Sequence, residues 1–431
     1  MSQSLFLQAV LAAGSALSLA SAATAQLPAE GTYTFTLSSA HYGTLQGQLS
    51  LEASDRGLRA GNDQYAFTFD ATGTGTLTFA DGRQHDAQLV NGAEGPVIMT
   101  GSGLLRGEWQ LDAQAPAPER DYPALAETMS EISTAWIYDP RLMQTPRFNT
   151  FQQGFNACVS TASDDAGLIY CFDRNWDGSL FSHYEILRPL NTMEGLLDEA
   201  DAAAEDRPVA RHEAVEPGIA LVTIDSFFGI AIEAQIDAAM SAAIDSGAHS
   251  LIVDLRENGG GTAAAIPVAA RILEERQVLG TFIANAWWRD NETLPGDELL
   301  EVRPVMNGRS QQEVMGELVT TGYTAASLDP AETVFDGDVY VLISERTASA
   351  SEALVGMIKM SGRATLIGET TAGEMLSSNF LPLPSDFSLR LPVADFYLSD
   401  GTRIDGTGVA PDIEVAAEDA LERALSEARA R

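Results

Sequence analysis

Residues 346–356 read RTASASEALVG, with Ser349 and Ser351 two positions apart where an apolar strand-like run gives way to a helical one. A serine hydroxyl is a poor nucleophile until a base takes its proton. The sole lysine, Lys359, follows Ser349 by ten residues in the same helical run, about three turns away, so it cannot return to that hydroxyl. Ser351, two residues into the helix, points elsewhere and reads as a packing or capping residue. A second loop, DLRENGGG from Asp254 to Gly261, also follows a buried strand and opens a helix. Orphan N–H groups and the helix dipole favour negative charge at such places, so the two loops together could hold a developing oxyanion. Neither G-x-G-x-x-G nor G-x-x-x-x-G-K-[ST] occurs there, which argues against nucleotide binding.

The elements that must position these loops follow from patterning. Residues 26–114 carry period-two stretches such as TYTFTL and GEWQLD between Gly, Asn and Asp turns, and read as an antiparallel β domain. AQAPAPERDYP is a Pro-rich break, after which residues 115–215 read as a linker and helical segment, then a polar strand-like passage through Cys171 to Arg188. From 216 to 416 strands and helices alternate, with continuous apolar strands such as SLIVDLR and VYVLIS, as in an α/β core with largely parallel pairing. Residues 286–336, with Trp287 and Trp288, read as an insertion, a lid or a solvated loop, and 417–431 as a terminal helix.

Hydrophobic residues make up 45% of the chain, enough to bury a core for each domain. Lys and Arg total 25 against 61 Asp and Glu, a net charge of -36, which excludes nucleic acid and anionic membranes as partners. An apolar run ending in Ala23-Thr24-Ala25 reads as a signal peptide over residues 1–25, implying export to the periplasm or medium and no membrane insertion after cleavage. An oxidising compartment would favour pairing of Cys158 with Cys171. No metal signal is present, and no cofactor is expected.

Three ordered blocks, VDLRENGGG, then VYVLISERTASASEALVGMIKMSGRATLIGETTAGE, then DGTRIDGTGVAPDIEV, closely resemble the C-terminal processing, or tail-specific, serine peptidases, whose relatives include the tricorn core protease. The resemblance implies a crotonase-like ββα spiral and makes Ser349, the first serine of S-A-S-E, the nucleophile. Processing peptidases place a lysine base after G-E-x-T-x-G, where this chain has Glu374. The tricorn branch uses a consecutive Ser-His pair and a glutamate near the end, which fall here on Ser182, His183 and Asp405. By that resemblance His183 is general base, Asp405 with Ser182 orients it, and the N–H groups of Gly260 and Ala350 hold the oxyanion. Asp is one methylene shorter than the relatives' Glu, which puts its reach in question, and Leu190 to Pro217 is too short for the usual PDZ domain. The expected function is an exported serine peptidase acting on a peptide or protein substrate. The alternatives are a non-catalytic binding protein on the same fold, its β domain gripping a ligand or partner, and an acyl-CoA enzyme of the crotonase type, which export disfavours.

Overall fold

The computed structural model describes residues 27–430 apart from 40, 56, 189–192 and 230, so the expected signal peptide lies outside the described residues. Eight strands from Gly31–Ser39 to Gly107–Asp112 close into an antiparallel barrel. Alternation along each strand turns one set of side chains inward, and eight strands leave just enough room for them to fill the lumen. Phe35, Leu37, Leu45, Leu49, Phe67 and Trp109 do so, all fully buried, with the Phe35 and Phe67 rings 4.8 and 5.1 Å from Trp109. The lumen is a core, so the barrel is not a ligand chamber.

Three helices follow, Tyr122–Trp136, Pro146–Val159 and Asp165–Asn175, capped by Asp121, Thr145 and Asp164, whose side chains accept from first-turn N–H groups. The third corrects the strand expected between Cys171 and Arg188, where only Glu185–Leu187 is extended. Residues 165–172 are all buried, which erases the polar face that marks a helix in sequence. Cys158 and Cys171 form a disulfide joining the second and third helices.

Asp165 fastens the barrel to this segment. Its carboxylate lies 2.8 Å from Arg120 Nε and 2.9 Å from Arg188 Nη1, and it accepts from the Gln46 N–H and the Tyr122 hydroxyl. Both guanidinium groups lie 5.8 Å from the Phe387 ring. Linker, barrel, third helix and core meet at this one buried charge.

Beyond it stand two sheets. One runs Ala210–Glu216, Ile219–Ile224, Ser250–Asp254, Asp338–Ile343, Thr365–Gly368, Ile413–Glu414, parallel except for its first pair. The other is antiparallel, Tyr323–Leu328 beside Gln277–Ala284, Phe387–Leu398 and Leu376–Leu383, with Glu185–Leu187 also pairing with Phe387–Leu398. Pairing is thus parallel in only one of the two sheets. The expected insertion at 286–336 contributes the strand Tyr323–Leu328, buried at every position, and Trp288 packs under Arg141 at 4.2 Å. The helix read in TAAAIPVAARILEER stops at Ala270. Ala420, Ala424 and Ala428, spaced four apart on the terminal helix Ala420–Arg429, cover Leu221, Ile252 and Leu342 of the parallel sheet. No helix among the described residues is long and apolar enough to cross a membrane.

The disulfide closes a short loop, with a sequence separation of 13, and its main effect is on the unfolded chain. Replacing both Cys158 and Cys171 with alanine is expected to lower unfolding free energy by about 3 kcal/mol, read as a lower denaturant midpoint, with a steeper slope because the unfolded chain is released from its cross-link.

Candidate active site

The serine turn is laced to the glycine loop. Thr347 Oγ1 donates to Leu255 O at 2.9 Å, Ser344 Oγ to Arg256 O at 2.6 Å, and the Ala348 N–H to Asn258 O at 3.1 Å. Asn258 is fully buried, and its Oδ1 accepts from the Gly260 N–H and Ser351 Oγ at 2.9 and 2.8 Å while its Nδ2 donates to Ile224 O. Ser351 is therefore scaffold. Gly260 stands against the turn so closely that a Cβ there would lie 2.6 Å from Ala348 O and 2.8 Å from Ser349 Cβ. Its own N–H is spent on Asn258, which corrects the expectation that it faces an oxyanion.

Ser349 has φ 55° and ψ −122°, a conformation costing a non-glycine residue about 1–3 kcal/mol and kept only where surroundings impose it. Glu352 imposes it here. Fully buried, its Oε2 accepts from the N–H groups of Ser349 and Glu374 at 3.0 and 2.8 Å, and its Oε1 from Thr371 Oγ1 and the Gly373 N–H at 2.6 and 2.7 Å. Burial pushes the carboxyl up to about 7, against the pull of four donors. The Ala350 N–H opens the helix Ala350–Ser361 as one of its orphan donors.

A second cluster gathers residues far apart in sequence. Ser182 Oγ lies 2.7 Å from His183 Nδ1 and donates to Asp405 Oδ1 at 2.8 Å. With the Ser182 proton committed to Asp405, its oxygen accepts from Nδ1–H, and the imidazole lone pair stands on Nε2. Asp405 thus reaches the ring through Ser182 despite its short side chain. Its other oxygen pairs with Arg403 Nη2 at 3.0 Å. Burial raises the Asp405 carboxyl, opposed by Arg403 and by Ser182. His183 is 8% exposed, at φ 61°, just before the strand Glu185–Leu187. Burial, with nearby Arg390, holds its imidazole well below the ordinary value, so the ring is neutral.

The clusters share the loop at 371–375. Gly373 donates its N–H to Glu352 and accepts at its carbonyl from the Gly406 N–H at 2.7 Å, next to Asp405. Lys359 points away, its Nζ 2.7 Å from Ala410 O and 3.3 Å from Asp412. Asp254 and Arg256 pair with each other at 2.7 Å and brace the loop. Among the described residues no group of three His, Cys, Asp or Glu is placed to hold a metal ion. Sequence reasoning missed Asn258, Glu352 and Arg403, although the spacing of Ser349 and Glu352 is that of a capping box.

A serine on a strained strand-to-helix turn with a glycine loop packed against it, and a buried histidine relayed to a carboxylate, are parts from which serine hydrolases are built. Residues 218–415 match the model of peptidase family S41. The carboxy-terminal-processing protease of Bartonella bacilliformis is 40% identical over 77 residues, 18% of this chain and 18% of the relative. The chloroplastic C-terminal processing peptidase of Tetradesmus obliquus is 27% identical over 169 residues, 39% of this chain and 29% of the relative. The chain's matches therefore span less than a third of either relative's length. A Parabacteroides merdae protein solved as a candidate peptidase shares the fold, with TM-score 0.51 and 17% identity over 72% of this chain and 97% of that one.

Glu352→Gln leaves one strong acceptor oxygen where there were two and turns an amide N–H toward a donor. It is expected to lower stability by about 2–5 kcal/mol and to slow modification of Ser349 by a fluorophosphonate about 100-fold. Denaturant titration and labelling kinetics check both; parental values in both would show that the turn does not depend on this carboxylate.

Proposed function

We propose that this chain is an exported serine peptidase of the Ser-His branch, with Ser349 as nucleophile, His183 as general base and Asp405 as orienting acid acting through Ser182. The core from 216 to 416 is read as the ββα spiral of the tail-specific and tricorn-like peptidases. The observation that carries the reading is the Ser182–His183–Asp405 relay, built across a separation of 223 residues and tied through Gly373 to the carboxylate that holds the Ser349 turn.

Ser349 Oγ attacks the scissile carbonyl carbon while His183 Nε2 takes its proton. The oxyanion is held by the Ala350 N–H and by an N–H of the glycine loop next to Gly260. Collapse breaks the C–N bond, His183 returns the proton to the leaving amine, and an acyl-enzyme remains. Water, deprotonated by the same imidazole, then releases the acid and restores Ser349. Asp405 stabilises the imidazolium formed in both halves. The substrate is a peptide or protein. The single helix Met193–Asp206 and the strand Ala210–Glu216 stand where a tail-binding PDZ domain would be inserted, so recognition falls to the core itself. Export accords with the disulfide.

Ser349→Ala and His183→Ala are each expected to lower kcat/KM by about 10⁴-fold or more with the fold intact. Fluorophosphonate should label Ser349 in the parent and not in His183→Ala, read by mass spectrometry of the modified peptide; hydrolysis by Ser349→Ala at the parental rate would end the assignment.

Because the folded imidazole titrates below 6.5, kcat/KM should stay level as pH falls through that value and decline only lower. Stability moves differently. Below 6.5 the unfolded state takes up a proton that the buried ring refuses, so the contribution of His183 to stability is lost as pH falls, and His183→Asn should flatten that part of a stability–pH curve.

A further inference from the structure

Asp405 does not stand alone behind the histidine. Arg403, two residues earlier, reaches Asp405 Oδ2 with Nη2 and the Asp405 carbonyl with Nη1, both at 3.0 Å, and places its Nε 2.6 Å from Asp395 Oδ2. Its Nη2 also donates to the Tyr138 hydroxyl at 3.1 Å. Asp395, fully buried on the strand Phe387–Leu398, accepts from the Phe396 N–H with its other oxygen.

We propose that Arg403 is a positioning residue of the relay: its fork fixes the Asp405 rotamer from which this short side chain reaches Ser182, and Asp395 fixes Arg403 in turn. The inference rests on the peptidase reading for its kinetic consequence only. An aspartate at 405 must offer one oxygen to Ser182 from a shorter tether than a glutamate has, and a planar guanidinium held at both ends is the rigid counterpart that sets the angle. The charges alternate, minus at Asp395, plus at Arg403, minus at Asp405, leaving a net negative unit facing the imidazole. The other titratable and charged groups around this row are Tyr138 from the helical segment, Tyr397 on the strand of Asp395, Asp139 acting on that tyrosine, and Arg390, which acts on His183 and lies 3.6 Å from Glu185. Burial raises both tyrosines and keeps them neutral, and it pushes Asp395 up to about 6 against the pull of Arg403.

The test compares Arg403→Gln, Arg403→Lys and the double variant Arg403→Gln/Asp395→Asn, which removes the buried charge that the single glutamine variant would strand. Arg403→Gln should lower kcat about 10- to 100-fold at nearly unchanged KM. It should also move the acid limb of kcat/KM to higher pH, because the positive charge that offsets Asp405, the carboxylate behind Ser182 and His183, is gone. In the double variant the loss in kcat should persist while the limb returns toward the parental position, since one charge of each sign has been removed. Arg403→Lys should keep the limb and recover part of kcat. A purely structural arginine would instead lower the melting temperature without moving the limb. Titration of the His183 ring by NMR in parent and Arg403→Gln reads the same electrostatic coupling without turnover, so it decides the point even for a parent that hydrolyses nothing. A folded Arg403→Gln protein with parental kcat and an unmoved His183 titration overturns the inference and leaves the peptidase reading standing. A parent that neither cleaves peptides nor reacts with fluorophosphonate ends the peptidase reading, and the role of Arg403 is then decided by the His183 titration alone.

Discussion

A buried carboxylate needs donors, and in a chain of net charge -36 those donors have to be gathered from distant segments. Three junctions of this fold are built that way. Asp165 draws in Arg120, Arg188, Tyr122 and the Gln46 amide, and so joins barrel, linker, helices and core. Glu352 draws in the amides of Ser349, Gly373 and Glu374 with the Thr371 hydroxyl, and so joins the serine turn to the loop beside it. Asp405 draws in Ser182 and Arg403, and so brings the histidine loop to the same place. Removing one partner from such a group leaves a charge without compensation in a low-dielectric interior, so each junction enforces a single geometry.

The two residues with the most direct chemical potential are also two of the four non-glycine residues with positive φ among the described residues, Ser349 at 55° and His183 at 61°. Neither conformation is cheap, and each is held by neighbours that would lose hydrogen bonds if it relaxed. Ser349 is fixed from behind by Glu352 and from the front by the close approach of Gly260. His183 is fixed by Ser182 and by the strand Glu185–Leu187, which pairs with Phe387–Leu398, the strand that also carries Asp395. The imidazole and the Arg403 anchor thus ride on one sheet.

This layout ties the barrel to the histidine segment. Arg188 follows the histidine strand and lies in the Asp165 clamp, so the barrel's seat and the histidine's seat are the two ends of one short segment. A barrel filled with aromatic and aliphatic side chains transmits position well, because a close-packed interior resists compression.

How much of this was legible beforehand depended on whether the determining forces were local. The serine turn and the glycine loop could be read from sequence because a strand-to-helix junction and a glycine run each leave a signature within a few residues; the capping pair of Ser349 and Glu352 leaves one too, and it was missed. The antiparallel β domain could be read because half-buried strands alternate, but its closure into a barrel could not. The third helix, the strand Tyr323–Leu328 and the strand Ala210–Glu216 could not: complete burial removes the polar face from the first two, and the third is an exposed edge without an apolar run. The reach of Asp405 to Ser182, across a separation of 223 residues, was decided by tertiary structure alone. The contacts of Arg403 with Asp405 and of the Gly260 amide with Asn258 join residues only two apart, yet Asp395 holds the first and Ser351 the second from elsewhere in the chain. No local pattern encodes which donor a buried carboxylate finds when the candidates come from separate segments.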